Sequence, residues 1–213
     1  ELHSGREFNE VRNAYKMIVY LNTVEQFCTE VNSNKIADII GDKFHSRLGK
    51  GFSPSEENAW RRSMQCMRGV LSDPGIPRDA GVAIEFSIPQ TSKRIDFILT
   101  GFDSEDLRRA VIVELKQWQD VEATEEDAVV RTFLGGNKRP TAHPSYQAWT
   151  YAALLEDFNE SVRDTPIRLG ACAYLHNCPD DSEVKHEVYS KHLEIAPAFT
   201  KGENEALRAF IKR

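Results

Sequence analysis

The segment "AVIVELK", Ala110–Lys116, constrains this chain more than any other stretch. Val111, Ile112 and Val113 are branched residues that pack well on a pleated surface, so the segment is expected to be a strand running into a core. Side chains alternate faces along a strand, which puts Glu114 and Lys116 on one face and Val113 and Leu115 on the other. A buried strand that ends in a carboxylate beside an ammonium needs a reason, because burying unpaired charge is costly.

The surrounding chain supplies a frame for that strand. Thr23 is placed to cap a short helix carrying Val24, Phe27 and Val31, and Asn34 to cap a second that ends near Gly49. In "SPSEENAWRRSMQCMRGVL", Ser53, Pro54 and Glu56 form a capping box with proline at the first helical position. Trp60, Met64, Met67 and Leu71 follow at helical spacing and make an inward stripe. Two strands are expected over Gly81–Ile88 and Arg94–Thr100, joined by "PQTSK", with Ala110–Lys116 as the third. Gly135–Gly136 suggests a turn or mobile loop, Pro144 and Ser145 open an amphipathic helix, Ile167–His176 is a fourth strand, and a helix closes the tail near Glu203–Lys212. The expected fold class is therefore α/β: a central mixed sheet flanked by helices, with an N-terminal helical segment.

The length suits one domain, taken as residues 17–213, with 1–16 as an added or flexible leader and Met17 as a candidate natural start. No apolar run approaches a membrane span and no signal-peptide pattern is present, so a cytoplasmic protein with no membrane partner is expected. Four cysteines, Cys28, Cys66, Cys172 and Cys178, form no C-x-x-C pair and no zinc pattern, and are expected to be reduced thiols. A net charge of −6 argues against a protein that coats polyanions generally. It leaves room for a nucleic-acid enzyme whose basic residues gather on one face.

Chemistry enters with a second strand. In "KRIDFIL", Ile95, Phe97 and Leu99 point one way and Arg94, Asp96 and Ile98 the other, so Asp96 is a carboxylate inside an apolar strand. Two carboxylates on neighbouring strands, with a lysine on the same face, suit a hard cation such as Mg²⁺ or Mn²⁺. Such a cation takes oxygen ligands, here Asp96, Glu114 and the Leu115 carbonyl, and keeps several waters. It polarises a phosphate and acidifies a bound water, while Lys116 orients that water or balances charge on phosphate oxygens. Gln147 and Tyr151, four apart in "YQAWTY", project from one helix face and are placed to hydrogen-bond substrate or support the lysine.

The ordered set Asp96, Glu114-x-Lys116 and Gln147-x-x-x-Tyr151 resembles the PD-(D/E)xK nuclease superfamily, most of all its RecB-like branch. "IPQTSKRIDFILTG", "VIVELKQW" and "HPSYQAWTYAALLEDFN" are similar to the nuclease-like domain at the amino end of bacterial Schlafen-group-3-like helicase proteins. The resemblance implies a restriction-endonuclease-like core and a metal-dependent nuclease, a phosphodiester hydrolase acting on DNA ahead of RNA. It further implies a role in defence against foreign nucleic acid such as phage, with a P-loop helicase motor in the same full-length chain or as a partner. The stretch itself carries no G-x-x-x-x-G-K-[S/T]. Ile95 stands where the superfamily's motif has proline.

Carried over position by position, the resemblance makes Asp96 and Glu114 metal ligands, gives Lys116 the attacking water, and lets Gln147 and Tyr151 complete the site. Glu56 stands where the superfamily often adds a helix carboxylate, in competition with its capping role, and Glu85 is a further candidate ligand. Lys93, Arg94, Lys138 and Arg139 are the candidate phosphate contacts, with Arg61 and Arg62 also noted. His143 is expected to hydrogen-bond at the start of the Gln147 helix. Two rivals stand beside the nuclease: a catalytically inactive nucleic-acid-binding or partner-docking domain on the same fold, and a two-carboxylate glycosidase. The second leaves Lys116 without a role.

Overall fold

Strand and helix signals resolve into fifteen regular elements in the computed structural model, which describes residues 18–49, 51–88, 91–103, 105–158 and 167–213. In order they are β1 (Ile18–Thr23), α1 (Val24–Asn32), α2 (Ile36–Leu48), α3 (Pro54–Leu71), β2 (Gly81–Ser87), β3 (Arg94–Phe102) and β4 (Arg108–Lys116). Then come β5 (Glu122–Ala123), β6 (Val129–Leu134), β7 (Asn137–Ala142), α4 (Pro144–Phe158) and β8 (Ile167–Leu175). After a 3-10 turn at Glu187–Tyr189, α5 (Ser190–Ile195), β9 (Ala198–Thr200) and α6 (Asn204–Ile211) finish the chain. The expected leader, Met17, and Pro89 and Gln90 of the expected loop lie outside the described residues.

Six strands pair in the order β1-β2-β3-β4-β8-β9. The first three pairings are antiparallel and the last two parallel, so the central sheet is mixed. One face carries Val82, Ile84, Phe97, Leu99, Val111 and Val113 against Phe27, Met64, Met67 and Leu71 of α1 and α3. The other face carries Ala83, Ile98, Ala110 and Ile112 against Ala148, Tyr151 and Leu155 of α4. Alternation within β4 thus feeds two helix layers, which is why that strand is apolar on both faces.

Local signals are used largely as the residues dictate. Ser53 and Glu56 make the capping box that starts α3, and Thr23 caps α1 by accepting from Gln26 N. Gly49 closes α2 with φ 64°, a left-handed conformation that glycine adopts without strain. Asn34 does not cap α2: the cap is Lys35, which makes no side-chain cap bond, while Asn34 itself adopts φ 56° in the turn before it.

Several strands escape the local pattern. β1 is a sheet-edge strand within the stretch expected to be helical, and β9 is only three residues long. Gly135 and Gly136 form no open loop; with φ 60° and 86° they turn the β6–β7 hairpin of a separate three-stranded sheet, β5-β6-β7. Two consecutive positive φ values suit the twist of a two-residue hairpin. Lys138 and Arg139 therefore lie on β7, not in a glycine-rich loop.

Phe97 is fully buried at the centre, its ring edge-on to Phe27 at 5.6 Å. Replacing it leaves a cavity under both α1 and the sheet. Phe97→Ala is expected to cost about 3–5 kcal/mol, read as a lowered urea midpoint at unchanged slope.

Candidate functional site

β3 and β4 stop pairing at Phe97–Val113, and the next positions along that register are Asp96 and Glu114. Asp96 takes over the ladder there: its Oδ2 accepts the Leu115 N–H at 2.9 Å. Leu115 thus meets Asp96 through its backbone N–H, not through the carbonyl expected to face a cation. Across β4 the parallel pairing with β8 continues through Lys116–Leu175, which keeps the strand end rigid.

Glu114 is 2% exposed. Its Oε1 accepts from Lys116 Nζ at 2.6 Å, as the shared face requires. Lys116 Nζ also donates to Gln147 Oε1 at 3.0 Å, and Gln147 Nε2 donates to the Tyr151 hydroxyl oxygen at 2.7 Å. A continuous chain, Glu114–Lys116–Gln147–Tyr151, therefore ties β4 to α4. Lys116 Nζ stands 5.3 Å from the centre of the Trp118 ring, and Lys93 Nζ stands 5.9 Å from that of Tyr151.

Burial pushes the Glu114 carboxyl up to about 8, and the neighbouring Asp96 charge adds to the rise against the pull of Lys116. Asp96 is raised as well, by desolvation first, with Lys116, the Leu115 N–H and Arg94 opposing it. Tyr151 is raised to about 12 by burial and by Glu114, so its hydroxyl stays protonated. One atom in the pair is an orphan: Glu114 Oε2 is buried with no hydrogen-bond partner. An unsatisfied buried carboxylate oxygen beside a second carboxylate fits a bound divalent cation, which would supply the missing partner and reverse both shifts. Among the described residues no group of three or more His, Cys, Asp or Glu is gathered as a cage. The candidate is a carboxylate pair, the kind of open site at which Mg²⁺ keeps water ligands.

Glu85 and Glu56 are engaged elsewhere. In register Glu85 follows Ala83, which faces α4, yet Trp60 Nε1 on α3 donates to Glu85 Oε1 at 2.8 Å. A φ of 54° at Glu85 breaks the alternation and turns the side chain to the α3 face. Arg94 Nη1 lies 3.0 Å from Glu85 Oε2 as an ion pair, and its guanidinium is stacked 5.0 Å from the Phe44 ring centre. The Glu85 carboxyl is raised mainly by burial, and the Asp96 charge contributes. Glu56 Oε2 accepts from Ser53 N at 2.7 Å and Ser53 Oγ at 2.9 Å, and these bonds hold its carboxyl below the usual range.

Of the expected phosphate contacts, Lys93 and Arg94 flank the carboxylates, one on each face of the sheet. Lys138 is neutralised by Asp120 at 3.3 Å and Glu122 at 3.0 Å on the outer sheet. Arg139 shares strand β7 with it and faces Thr132 on β6. His143 is wholly buried; its Nδ1 accepts from Ser145 N at 3.1 Å and its Nε2 donates to Val184 O at 2.8 Å. The first bond belongs to the start of α4; the second ties that start to the segment between β8 and α5.

Sequence reasoning missed a second network just past the strand end. Gln117 Nε2 donates to Ala59 O at 2.7 Å and to Ser63 Oγ at 3.2 Å, and Ser63 Oγ lies 3.0 Å from His176 Nε2. Alternation carried one residue beyond Lys116 points Gln117 at α3, and that was the available signal. A cavity of 840 Å³ opens at the opposite rim between Gly81, Thr100, Arg109 and Ile167, away from Asp96 and Glu114. Comparison with protein-family models, with curated proteins and with solved structures finds no match for this chain.

Burial lowers His143 from 6.5 to about 4, so the native state holds it neutral while the unfolded chain takes up a proton as pH falls. Its contribution is full above pH 6.5 and is lost as pH drops from 6.5 to about 4. His143→Asn, which keeps an acceptor at the helix start, is expected to show a smaller stability loss than wild type between pH 7 and pH 5 in urea unfolding.

Proposed function

We propose that this chain is a metal-dependent nuclease that hydrolyses phosphodiester bonds of DNA or RNA on a restriction-endonuclease-like core. Support comes above all from Glu114: a buried carboxylate with an orphaned oxygen, next in register to Asp96 and hydrogen-bonded to Lys116. A structural ion pair would satisfy Glu114 with Lys116 alone; it would leave no reason for a second raised carboxylate beside it. The resemblance of the ordered Asp96, Glu114-x-Lys116 and Gln147-x-x-x-Tyr151 set to PD-(D/E)xK nucleases points the same way.

Asp96 and Glu114 would hold the cation, Mg²⁺ or Mn²⁺. When bound, it supplies charge that polarises a phosphoryl oxygen and lowers the pKa of water. Lys116 does the rest of the electrostatic work. Its ammonium has three N–H donors; two are held by Glu114 and Gln147, which leaves the third to reach a phosphate oxygen or orient the attacking water. Gln147 fixes that geometry, because its amide is committed at both ends. The Tyr151 hydroxyl accepts from Gln147 and keeps its own proton to donate toward substrate. Lys93, exposed above the Tyr151 ring, is placed to meet an incoming phosphate.

Labelled single- and double-stranded DNA and RNA, incubated with Mg²⁺ or Mn²⁺, provide the test. Wild type is expected to cleave at least one of them, and Asp96→Ala, Glu114→Ala and Lys116→Ala each to lose at least about 100-fold in rate. Chelation should abolish cleavage. Equal rates in wild type and the three variants would place the activity elsewhere and sink the proposal.

A further inference from the structure

A polar depression of 520 Å³ opens where α3 meets the chain segments leaving β4 and β8. Arg62 and Gln65 line it from α3, Gln119 from beyond β4, Asn177 from beyond β8, and Lys201 from the end of β9. No carboxylate lines it, although the chain as a whole carries a net charge of −6. Arg62 and Lys201 are both exposed, and among the described residues neither is ion-paired. Neighbouring cations differ: Arg61 pairs with Glu57, and Lys185 with Asp181 and Glu203.

The walls are fixed from behind. Gln117 is bonded to Ala59 and Ser63 of α3, and Asn177 Nδ2 donates to Gln117 O at 3.3 Å. Lys201 N donates to Cys178 O at 2.8 Å. The depression lies at the same rim of the sheet as Asp96 and Glu114, on the α3 face of β4 where they occupy the α4 face. Gln119 follows Lys116 by three residues, a reach of at most about 10 Å of chain. A strand crossing the rim would meet both places.

We infer that Arg62 and Lys201, with the amides of Gln119 and Asn177, bind a backbone phosphate of the nucleic-acid strand flanking the scissile bond, an inference that rests on the nuclease assignment above. A guanidinium fork matches two phosphate oxygens, and an ammonium adds a point charge. Contacts of this type position a strand without reading bases. The depression therefore adds grip beyond that of Lys93, independent of sequence and sensitive to salt.

Anisotropy of a fluorescein-labelled single-stranded oligonucleotide in EDTA, where no metal-driven cleavage consumes the probe, separates the possibilities. The Arg62→Ala/Lys201→Ala pair is expected to weaken binding about 10-fold at low salt and to flatten the dependence of log K on log salt by about 0.7 for one lost phosphate contact. Arg62→Lys should retain most of the affinity, and Arg61→Ala should bind as wild type does. Unchanged affinity and slope in the double variant, or no binding by wild type, would overturn the assignment. Cleavage is scored separately on the same proteins. A wild type that cleaves beside a double variant that binds normally removes the phosphate site and leaves the nuclease standing. Binding lost in the double variant of a protein that never cleaves supports the phosphate site and removes the nuclease.

Discussion

One hydrogen bond joins the fold to the candidate site: Leu115 N–H to Asp96 Oδ2. Where two antiparallel strands part, each backbone N–H on the parting edge must find another partner. Here the partner is a side chain, and the side chain is a carboxylate. Asp96 thereby does two things at once. It ends the β3–β4 ladder without leaving an orphan donor, and it is held beside Glu114 at a rigid strand end. Had the ladder run on, the backbone would have satisfied itself and Asp96 would have had no fixed position.

The two helix layers then decide which chemistry each side chain faces. On the α4 side, Gln147 reads the lysine with one end of its amide and the tyrosine with the other, so the ammonium is held over the carboxylate pair. That chain depends on α4 starting where it does, and buried, neutral His143 fixes the start. On the α3 side, Trp60 and Arg94 occupy the two oxygens of Glu85 and keep a third carboxylate close without adding it to the pair. The layered α/β arrangement is a means of bringing charge to one rim of the sheet from both faces, with apolar packing behind it.

Much of this was legible in sequence because it depends on period and on local capping. Alternation along "AVIVELK" gave the shared face of Glu114 and Lys116, and the four-residue spacing of Gln147 and Tyr151 gave the helix face that meets them. Ser53, Pro54 and Glu56 announced the start of α3. What escaped were β1 and β9, short or edge strands whose partners lie across intervening helices, and the small sheet β5-β6-β7, whose strands pair only with one another. Gly135–Gly136 reads in sequence as a turn or mobile loop but not as a hairpin, since β7, "NKRPTA", is exposed along nearly its whole length and lacks a hydrophobic alternation.

By itself, then, the sequence determined the central apolar strands, the starts of α1, α3 and α4 and the residue types at the site, because strand and helix periodicity act over a few residues. Tertiary structure decided which charges meet. The left-handed backbone at Glu85 sent that carboxylate to Trp60 instead of the Asp96–Glu114 pair, and strand β7 gave Lys138 to Asp120 and Glu122. Arg62 and Lys201, far apart in the chain, came to share one depression. Electrostatic partners are chosen by distance in space, and the segments that bring Arg62 and Lys201 together are separated by most of the chain.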